Sequence, residues 1–406
     1  MSKGPVAEAP STAGPIDGGP HRRRWTRRDK TVGVRTVGVE EELLLVDGVT
    51  GEVRSCADAV LRADTDDQLT GELQQEQIET GTRPSTDLAE LHSEIVGLRR
   101  YAADSAAKTG ARVAALGTSP LPVSPLATER PRYQKMIERF GLTASEQLTC
   151  GCHVHVGVEN DEEGIAVLDR IRVWLPALLA LSANSPYWQG EDSGYASFRS
   201  QSWSRWPSAG PTPIFRNPEN YHALVEALIG SGTLLDDGMI YFDARLAANY
   251  PTVELRSADV CRRPQDATLM AALSRGLVET AGREWKAGRS PIDMPTALLR
   301  VATWRAGRTG IEGELVHPRT GRPAAATAVF GDLMTYLEPA LADLGDLGMV
   351  KDLLAALLAR GNGAVAQRAT FARTNSLRAV VLDAVADGSC SKDPPGSVRP
   401  DAPPST

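Results

Sequence analysis

The chain has 406 residues, of which 42% are hydrophobic and 23% are charged, and this composition is typical of a soluble globular enzyme. Its formal net charge of -7 argues against nucleic acid as a partner, because nucleic-acid-binding proteins usually carry a basic excess. Five scattered cysteines make no disulfide framework and predict a reducing cytoplasm. The most apolar helix candidate, residues 171–184, contains Arg172 and Pro176 and falls short of the ~20 apolar residues of a membrane span, so no membrane association is predicted.

Both ends of the chain lack the apolar content of a packed core. Residues 1–30 are rich in Pro, Gly and Ala and then in Arg, which predicts a disordered basic tail. An anchor to an anionic surface is the alternative for these arginines. Residues 386–406 predict a second disordered tail. No Pro/Ser-rich linker divides residues 31–385, which we therefore expect to form one domain.

Between the tails, strand patterns and helix patterns alternate along the chain. Strand patterns cover residues 32–46, 148–158 and 239–260. Helix patterns cover residues 85–109, 163–182, 217–230, 264–287, 325–343 and 348–360. Because these elements do not follow a strict βαβ rhythm, they predict an α+β fold in which helices pack against a largely antiparallel sheet.

The first strand pattern lies in residues 36–53, TVGVEEELLLVDGVTGEV. In a strand, successive side chains point to opposite faces. One face then carries Gly38, Glu40 and Glu42, and the other carries Val37, Val39, Leu43 and Leu45. Glu41 falls on the apolar face, where it needs a partner unless the strand ends have different neighbours. Glu40 and Glu42 repel each other unless a cation lies between them.

A second acidic stretch, residues 71–95, reads GELQQEQIETGTRPSTDLAELHSEI. Its acids Glu72 and Glu79 are spaced at about two helical turns, and Pro84 precedes a helix that Ser85 or Thr86 is predicted to cap. On a surface helix, both acids would be ordinary solvated residues.

The stretch CGCHVHVG, residues 150–157, combines two cysteines with two histidines and invites a zinc interpretation. Strand alternation argues against a shared tetrahedral ion. It places Cys150 and Cys152 with the valines, as small core residues, and His153 and His155 on the opposite polar face between glycines.

The same alternation recurs in YPTVELRSADVC, residues 250–261, where Glu254 and Arg256 share one face. A cross-strand ion pair is the simple alternative for these two residues.

A sheet face that carries the ionisable residues of all three strands would be costly to bury without compensating ions. Oxygen-rich sites with an imidazole suit Mg²⁺ or Mn²⁺ better than zinc, and such carboxylate clusters serve phosphoryl transfer. Neither a G-x-x-x-x-G-K-[ST] loop nor a G-x-G-x-x-G turn is present, so ATP would bind to the sheet through metals.

Several long motifs resemble those of the bacterial carboxylate–amine ligases, the type 2 glutamate–cysteine ligase family. In chain order they include VGVEEELLLVD at 37–47, QIETGT at 77–82, CGCHVHVGV at 150–158, SFRSQSWSRWPSAGP at 197–211, DARLAANYPTVELRSADVC at 243–261 and GNGAVAQR at 361–368. The resemblance implies a glutamine-synthetase-like fold. In this fold a curved antiparallel sheet forms a funnel, helices pack on its outer face, and the active site lies on the concave polar face.

The resemblance also implies a reaction and its participants. ATP would phosphorylate the side-chain carboxylate of L-glutamate, and an amine would displace phosphate; with L-cysteine the product is γ-glutamylcysteine. The implied cofactors are ATP and Mg²⁺ or Mn²⁺, and the implied assembly is a homodimer. Departures from the family motifs, in GTSPLP at 117–122 and at Ser257, leave the acceptor amine open.

Matching motifs also imply roles for individual residues. The predicted metal ligands are Glu40, Glu42, Glu72, Glu79, His153 and Glu254. Arg199 and Arg256 are predicted to lie at the glutamate carboxylates or the transferring phosphoryl group, and Arg368 at a phosphate of ATP. The segment 189–213 is predicted to close over the funnel, with an ordinary packed loop as the alternative.

Three other functions compete with the ligase. A metal-dependent hydrolase would use His153 and His155 on zinc, with Cys150 or Cys152. A guanido kinase-like phosphotransferase on the same fold would release a phosphorylated product. A binding module without catalysis would leave the ionisable residues of the polar face unused.

Overall fold

The computed structural model describes residues 33 to 389. Its strands are β1 (Val37–Asp47), β2 (Leu69–Gly71), β3 (Gln77–Gly81), β4 (Ala111–Ala114), β5 (Gly151–Gly157), β6 (Tyr187–Trp188), β7 (Glu191–Asp192), β8 (Ala244–Leu246), β9 (Thr252–Asp259), β10 (Glu314–Val316) and β11 (Pro323–Ala325).

The helices in the same part of the chain lie between and after these strands. They are α1 (Ala57–Arg62), α2 (Leu88–Lys108), α3 (Pro131–Phe140), α4 (Leu142–Ser145), α5 (Asp161–Ile171), α6 (Leu175–Ser182), α7 (Phe198–Trp203), α8 (Pro218–Gly230), α9 (Pro264–Lys286), α10 (Thr296–Thr309), α11 (Ala326–Asp343), α12 (Leu347–Arg360), α13 (Gly363–Thr374) and α14 (Leu377–Ser389), with a 3₁₀ turn at Asp237–Met239. The predicted disordered tails lie outside the described residues, except that residues 386–389 form the end of α14.

A seven-stranded sheet with antiparallel pairing holds the molecule together. Its strand order is β2-β3-β1-β5-β9-β8, and β4 also pairs with β1. Strand β1 is central, because it pairs with β3, β4 and β5. The hairpins β6–β7 and β10–β11 lie outside this sheet. The predicted α+β class with a largely antiparallel sheet is confirmed.

One face of the sheet packs against a layer of helices that includes α2 and α9. The valines of β1 and β5 enter one large apolar core together with Leu91 and Ile95 of α2 and the apolar residues of α9. A second apolar cluster gathers the end of β1, where Leu43 to Val46 are fully buried, with β4 and the second half of α2. Long α9 backs the strands β1, β5 and β9, so it supports the three strands that carry the predicted site. In residues 33–389, no helix is both long enough and apolar enough to span a bilayer.

Glu41, which the alternation places on the apolar face of β1, finds a partner there. Arg99 of α2 donates to both carboxylate oxygens of Glu41, over 2.6 and 2.8 Å, and to the carbonyls of Cys261 and Arg262. Both side chains are buried, with 2% and 3% of their surface exposed. A guanidinium that binds a carboxylate and two carbonyls satisfies nearly all its donors, which a buried ion pair requires.

The segment around Glu79 differs from the prediction. Residues 77–81 form β3, which pairs with β1 in the register Glu42↔Glu79, rather than a helical stretch. Helix α2 begins later than predicted, because Asp87 caps it by accepting from the backbone N–H groups of Ala89 and Glu90. The predicted caps, Ser85 and Thr86, were wrong; the hydroxyl of Ser85 instead accepts from the N–H of Asp87.

The predicted helix 163–182 is two helices, α5 and α6. Its break falls at residues 172–174, immediately before Pro176 in the first turn of α6. Several further helices, among them α3, α10 and α13, are not predicted by the sequence patterns.

We predict that Arg99→Met lowers the free energy of unfolding by about 3–5 kcal/mol, because it leaves the buried Glu41 carboxylate without its counter-ion. Denaturant unfolding followed by circular dichroism measures this loss. The double variant Glu41→Leu with Arg99→Met removes both charges and is expected to regain part of the stability.

The matched control is Arg83→Met, which breaks an ion pair with Glu94 in which the Arg83 side chain is 67% exposed. Such a pair contributes about 0–1 kcal/mol, so this variant should unfold almost like the parent. Equal stability losses in Arg99→Met and Arg83→Met would contradict the structural role assigned to the buried pair.

Candidate active site

Strand register brings the predicted metal ligands together from distant parts of the sequence. Glu40 of β1 lies opposite His153 of β5, and Glu42 lies opposite Glu79 of β3. His155 lies opposite Glu254 of β9. All six predicted ligands therefore lie on or beside the polar face of neighbouring strands, where Glu72 joins them from the turn after β2.

Three overlapping triads of side chains on this face have the spacing of metal sites. They are Glu40, His155 and Glu254; Glu40, Glu79 and His153; and Glu42, Glu72 and Glu79. Within each triad the candidate ligand atoms lie within 4.8 Å of one another. Glu40 and Glu79 each belong to two triads, which is the arrangement expected of carboxylates that bridge neighbouring cations.

The two histidines have the free ring atoms that a metal site requires. His153 Nε2 and His155 Nε2 are buried and have no hydrogen-bond partner within residues 33–389, and His155 Nε2 lies 3.6 Å from an oxygen of Glu40. The other nitrogen of His155, Nδ1, lies 3.1 Å from the hydroxyl of Thr252, a contact that fixes the orientation of the ring. Burial, with help from the charge of Arg256, lowers the pKa of His153 and favours the neutral imidazole that binds metal. These donors fit Mg²⁺ or Mn²⁺, because carboxylate oxygens outnumber imidazole nitrogens.

His155 was not among the predicted metal ligands, although the sequence pattern placed it on the same face as His153. Its membership of the first triad rests on its position opposite Glu254. Burial lowers the pKa of His155, but the charges of Glu40 and Glu254 outweigh that effect and raise it. The interstrand register, which alternation within a single strand does not reveal, is the missing signal.

Glu254 is held by two arginines. Arg245 of β8 donates to one of its oxygens over 2.7 Å, and Arg256 binds the other. Burial alone would raise the pKa of the Glu254 carboxyl, but the neighbouring charges of Arg256 and Arg245 hold it well below its usual range. Glu254 is therefore ionised and available as an anionic ligand.

Arg199 and Arg256, the predicted catalytic arginines, approach the same aromatic ring. Their guanidinium carbons lie 5.7 and 5.9 Å from the ring centroid of Trp203. Both side chains are buried, and the Nε atom of each has no acceptor within the described chain. Buried guanidinium groups with unused donors are suited to capture a carboxylate or a phosphoryl group.

Gly151 makes room for Arg199. A Cβ atom at position 151 would lie 2.3 Å from an Nη atom of Arg199, so no side chain fits there without displacing the guanidinium. The N–H of Gly151 also donates to the carboxylate of Glu42 over 2.5 Å. The glycine therefore positions one predicted arginine and one predicted metal ligand.

Asp259 is a functional residue that sequence reasoning missed. Its fully buried carboxylate accepts hydrogen bonds from the N–H of Asn184 and from the hydroxyls of Ser185 and Ser197. Ser197 caps α7, and the hydroxyl of Ser185 accepts from the N–H of Arg199. Asp259 thus fixes the start of the helix that presents Arg199 and Trp203 to the site. Alternation along β9 places Asp259 in line with the apolar Val253 and Leu255, and an acid in this position was the available sequence signal.

The cysteines do not take part in the candidate metal site. Cys150 and Cys152 are fully buried in the apolar clusters, as predicted, and neither belongs to a metal-ligand group in residues 33–389. The mixed Cys/His zinc site of the hydrolase alternative is therefore not formed.

Arg368 is not brought to the triads. Its guanidinium binds Asp192 of β7 over 2.7 and 2.9 Å and the carbonyl of Tyr195 over 2.9 Å. The structure places it at the edge of the segment 189–213, whose α7 reaches the site.

Comparisons with known proteins identify the family to which this chain belongs. The family model described as glutamate-cysteine ligase family 2 (GCS2) matches residues 36–381. A relative from Streptomyces avermitilis, named as a candidate glutamate–cysteine ligase 2-1, is 55% identical over 357 residues, which are 87% of this chain and 99% of the relative. A relative from Streptomyces coelicolor, named as a candidate glutamate–cysteine ligase 2, is 53% identical and covers 87% of this chain and 98% of its own.

Two solved structures share the fold at low sequence identity. The glutamate–cysteine ligase of Francisella tularensis, solved in complex with AMP, superposes with a TM-score of 0.61 at 14% identity and covers 88% of each chain. The bifunctional glutathione synthetase of Pasteurella multocida superposes with a TM-score of 0.64 at 15% identity over 88% of this chain and 52% of its own. The chain belongs to glutamate–cysteine ligase family 2, and its fold is the glutamine-synthetase-like fold predicted from its motifs.

Proposed function

We propose that the protein is an ATP-dependent ligase that joins the side-chain carboxylate of L-glutamate to an amine, with L-cysteine as the first acceptor to test. The observation that carries this proposal is the set of three overlapping triads, two of carboxylates with a histidine and one of carboxylates alone, beside two buried arginines with unused donors. Membership of the family supports the reaction class.

Divalent cations would be held by Glu40, Glu42, Glu72, Glu79, His153 and Glu254, with His155 as an added ligand. Mg²⁺ or Mn²⁺ held by these residues would supply positive charge that offsets the charge developing on the phosphoryl group during its transfer. The absence of a phosphate-binding loop in the sequence is consistent with a nucleotide that is held through the sheet face. The AMP complex of the Francisella relative supports nucleotide binding at this fold.

The reaction has two steps that balance without a further reactant. An oxygen of the glutamate side chain attacks the γ-phosphorus of ATP, ADP leaves, and γ-glutamyl phosphate forms. The ammonium group of the acceptor releases one proton to solvent, and the neutral amine then attacks the acyl carbon. The bond from carbon to the phosphate oxygen breaks, and phosphate leaves as HPO4²⁻ with the second proton of the nitrogen. Activation is needed because a carboxylate is a poor electrophile, whereas an acyl phosphate has a good leaving group.

The chain's own cations would orient these reactants. Arg199 and Arg256 present planar, buried guanidinium groups that can bind a carboxylate or phosphoryl group in a bidentate way. Trp203 lies against both groups and limits their motion. Closure of the segment 189–213 would keep water from the acyl phosphate.

The proposal extends to Arg368, to the kind of substrate and to the assembly of the protein. Arg368 would contact a phosphate of ATP after releasing Asp192, its partner in the present structure. The substrates are small molecules, and the proposed assembly is a homodimer in the cytoplasm.

The ligase is tested by supplying ATP, Mg²⁺, L-glutamate and a panel of amines that includes L-cysteine. We expect phosphate release that depends on both glutamate and an amine, and a new amide detected by mass spectrometry. If the glutamate side chain carries ¹⁸O, one labelled oxygen should appear in the released phosphate. Phosphate release without label transfer would exclude γ-glutamyl phosphate. Turnover without nucleotide, with stoichiometric zinc, would favour the hydrolase.

Metal-ligand variants test the assignment of the triads. We predict that Glu40→Gln and Glu254→Gln each reduce turnover by more than the roughly 10- to 100-fold loss typical of residues that only orient a ligand. Far-ultraviolet circular dichroism should remain that of the parent, and Mg²⁺ titration of activity should reveal weakened metal dependence.

The control variant is Glu338→Gln, an exposed carboxylate paired with Lys351 on the outer helices. It changes the same functional group away from the sheet face and should leave turnover unchanged. Near-parental rates for Glu40→Gln or Glu254→Gln would contradict the metal assignment.

Gly151→Ala tests the placement of Arg199. The added Cβ would displace the buried guanidinium, and a displacement of about 1 Å at a reacting group can cost roughly 100-fold in rate, so we expect a loss of that size in kcat/KM. Gly97→Ala is the matched control, because its Cβ would meet no atom within 4 Å on the surface of α2. Equal activity in the two variants would show that Arg199 does not need its present position.

A further inference from the structure

A cavity lies on the helical side of the molecule, away from the polar sheet face. It has a volume of about 870 Å³ and is enclosed by α5, α9, α11 and the loop that follows α9. Within the described chain, none of its lining residues belongs to the seven-stranded sheet or to the metal triads. We call this cavity the helical pocket, and the ligase chemistry makes no use of it.

Arg170 is the buried charge of the helical pocket. Its side chain is only 8% exposed, yet no carboxylate in residues 33–389 forms an ion pair with it. One Nη atom donates to the carbonyl of Ala166 over 2.7 Å and the other to the carbonyl of Arg289. Its Nε atom is buried without an acceptor. Burial lowers the pKa of Arg170, and the more distant charges of Glu284 and Asp169 offset only part of this effect.

Thr280 of α9 provides a second unsatisfied donor in the same wall. Its hydroxyl is buried and has no hydrogen-bond partner within the described chain. A buried polar group without a partner costs roughly 1–3 kcal/mol, so native structures rarely retain two of them beside one cavity without a reason. Both residues line the cavity, so an acceptor bound there is the available partner for these donors.

The remaining charges of the helical pocket are mainly positive. Arg283, Arg289 and Arg319 line its exposed rim, and Glu284 is the carboxylate among the lining residues. Glu284 is already engaged, because it accepts from the hydroxyl of Tyr336 over 2.8 Å and lies 3.8 Å from Arg289. Arg283 is also engaged, because it pairs with Glu279 and Asp343. Within residues 33–389, Arg170 and Arg319 are the lining arginines without a carboxylate partner, and their positive charge favours an anionic guest.

The pocket also has an aromatic and apolar wall. Tyr336 stacks on the buried Trp174 with ring centroids 5.2 Å apart and an interplanar angle of 17°. Pro291, Ile292 and Pro339 extend this wall. Ligand sites typically have volumes of about 300–1,000 Å³ and combine an apolar lining with a few convergent polar groups, as this pocket does.

We propose that the helical pocket binds a small organic anion, whose oxyanion group accepts from Arg170 and Thr280 and whose flat or apolar body lies against Tyr336. The shared chemistry is that of a carboxylate, phosphate or sulfonate on an aromatic or aliphatic body. Neither the donors nor the wall belongs to the ligase site, so this is a separate binding function.

Anilinonaphthalene sulfonate tests the proposal directly, because it joins a sulfonate to a flat apolar body and fluoresces when bound. We expect the full-length protein to bind one equivalent in the presence of saturating ATP and Mg²⁺. The neutral analogue N-phenylnaphthylamine should bind at least about tenfold more weakly, which corresponds to 1.4 kcal/mol. Displacement of the probe by ATP would place it in the funnel and overturn the proposal.

Three variants locate the probe. Arg170→Met should weaken binding of the sulfonate by at least about tenfold, while binding of the neutral analogue stays unchanged. Arg172→Met is the matched control, because Arg172 is equally buried and bonded to two carbonyls but does not line the pocket. Thr335 is an exposed lining residue that makes no hydrogen bond with Arg170, so Thr335→Trp adds a large ring at the pocket and should abolish binding. Parental probe affinity in Arg170→Met and Thr335→Trp would overturn the proposal.

Competition between the fluorescent probe and inorganic anions or carboxylates shows which class of oxyanion the pocket prefers. Inorganic phosphate and citrate, each added at constant ionic strength, should displace the probe to different extents, and the stronger competitor names the phosphate or carboxylate class. Loss of the probe through ionic strength alone, with no difference between the two anions and chloride, would contradict a shaped anion site.

Discussion

Mutual repulsion among carboxylates is the constraint on which the structure of the polar face depends. Glu40, Glu42, Glu79 and Glu254 lie in overlapping groups whose atoms are within 4.8 Å of one another. Two like charges about 4 Å apart repel by roughly 4 kcal/mol at an effective dielectric constant of 20. The chain lowers this cost with Arg245 and Arg256 at Glu254 and with imidazoles beside Glu40. Cations from solution would complete the balance.

Support for the polar face comes from the opposite side of the sheet and from the segments at its end. Helices α2 and α9 pack on the apolar face, so the strands are held from behind. Asp259 ties Ser185 and Ser197 to the last residue of β9 and so brings α7 to the site. The residues that touch the proposed reactants are therefore placed by contacts made well away from them, which is how a precise site is kept rigid.

Much of this face could be predicted from the sequence, because alternation along a strand is a local property. It assigned Glu40, Glu42, His153 and Glu254 to the polar side, and it identified Glu41 as a residue that needed a partner. The partner itself, Arg99, lies 58 positions away, and only packing brings it there. The spacing of Glu72 and Glu79 suggested two helical turns, whereas residues 77–81 form β3, because their long-range pairing with β1 outweighs local spacing.

Other features left weaker signals in the sequence. Arg368 ends the motif GNGAVAQR, whose resemblance to the family predicted a phosphate contact, but its ion pair with Asp192 depends on a hairpin more than 170 positions earlier. The metal role of His155 required the register of β5 against β9, which includes a bulge between Cys152 and Val154. The helical pocket joins residues from four separate segments, each of which reads as an ordinary amphipathic helix or loop.

The pair formed by Arg99 and Glu41 also bears on how strands keep their alignment. A slip of one residue would move every acid to the apolar side and is excluded by hydrophobic burial. A slip of two residues would keep all faces correct and shift a strand by about 7 Å, so burial alone does not oppose it. Arg99 binds Glu41 in β1 and also the carbonyls of Cys261 and Arg262, just past the end of β9. A two-residue slip of β1 would separate Glu41 from the Arg99 guanidinium and leave both buried charges unpaired. This single arginine therefore makes the slipped alignment less stable than the native one, although both bury the same faces.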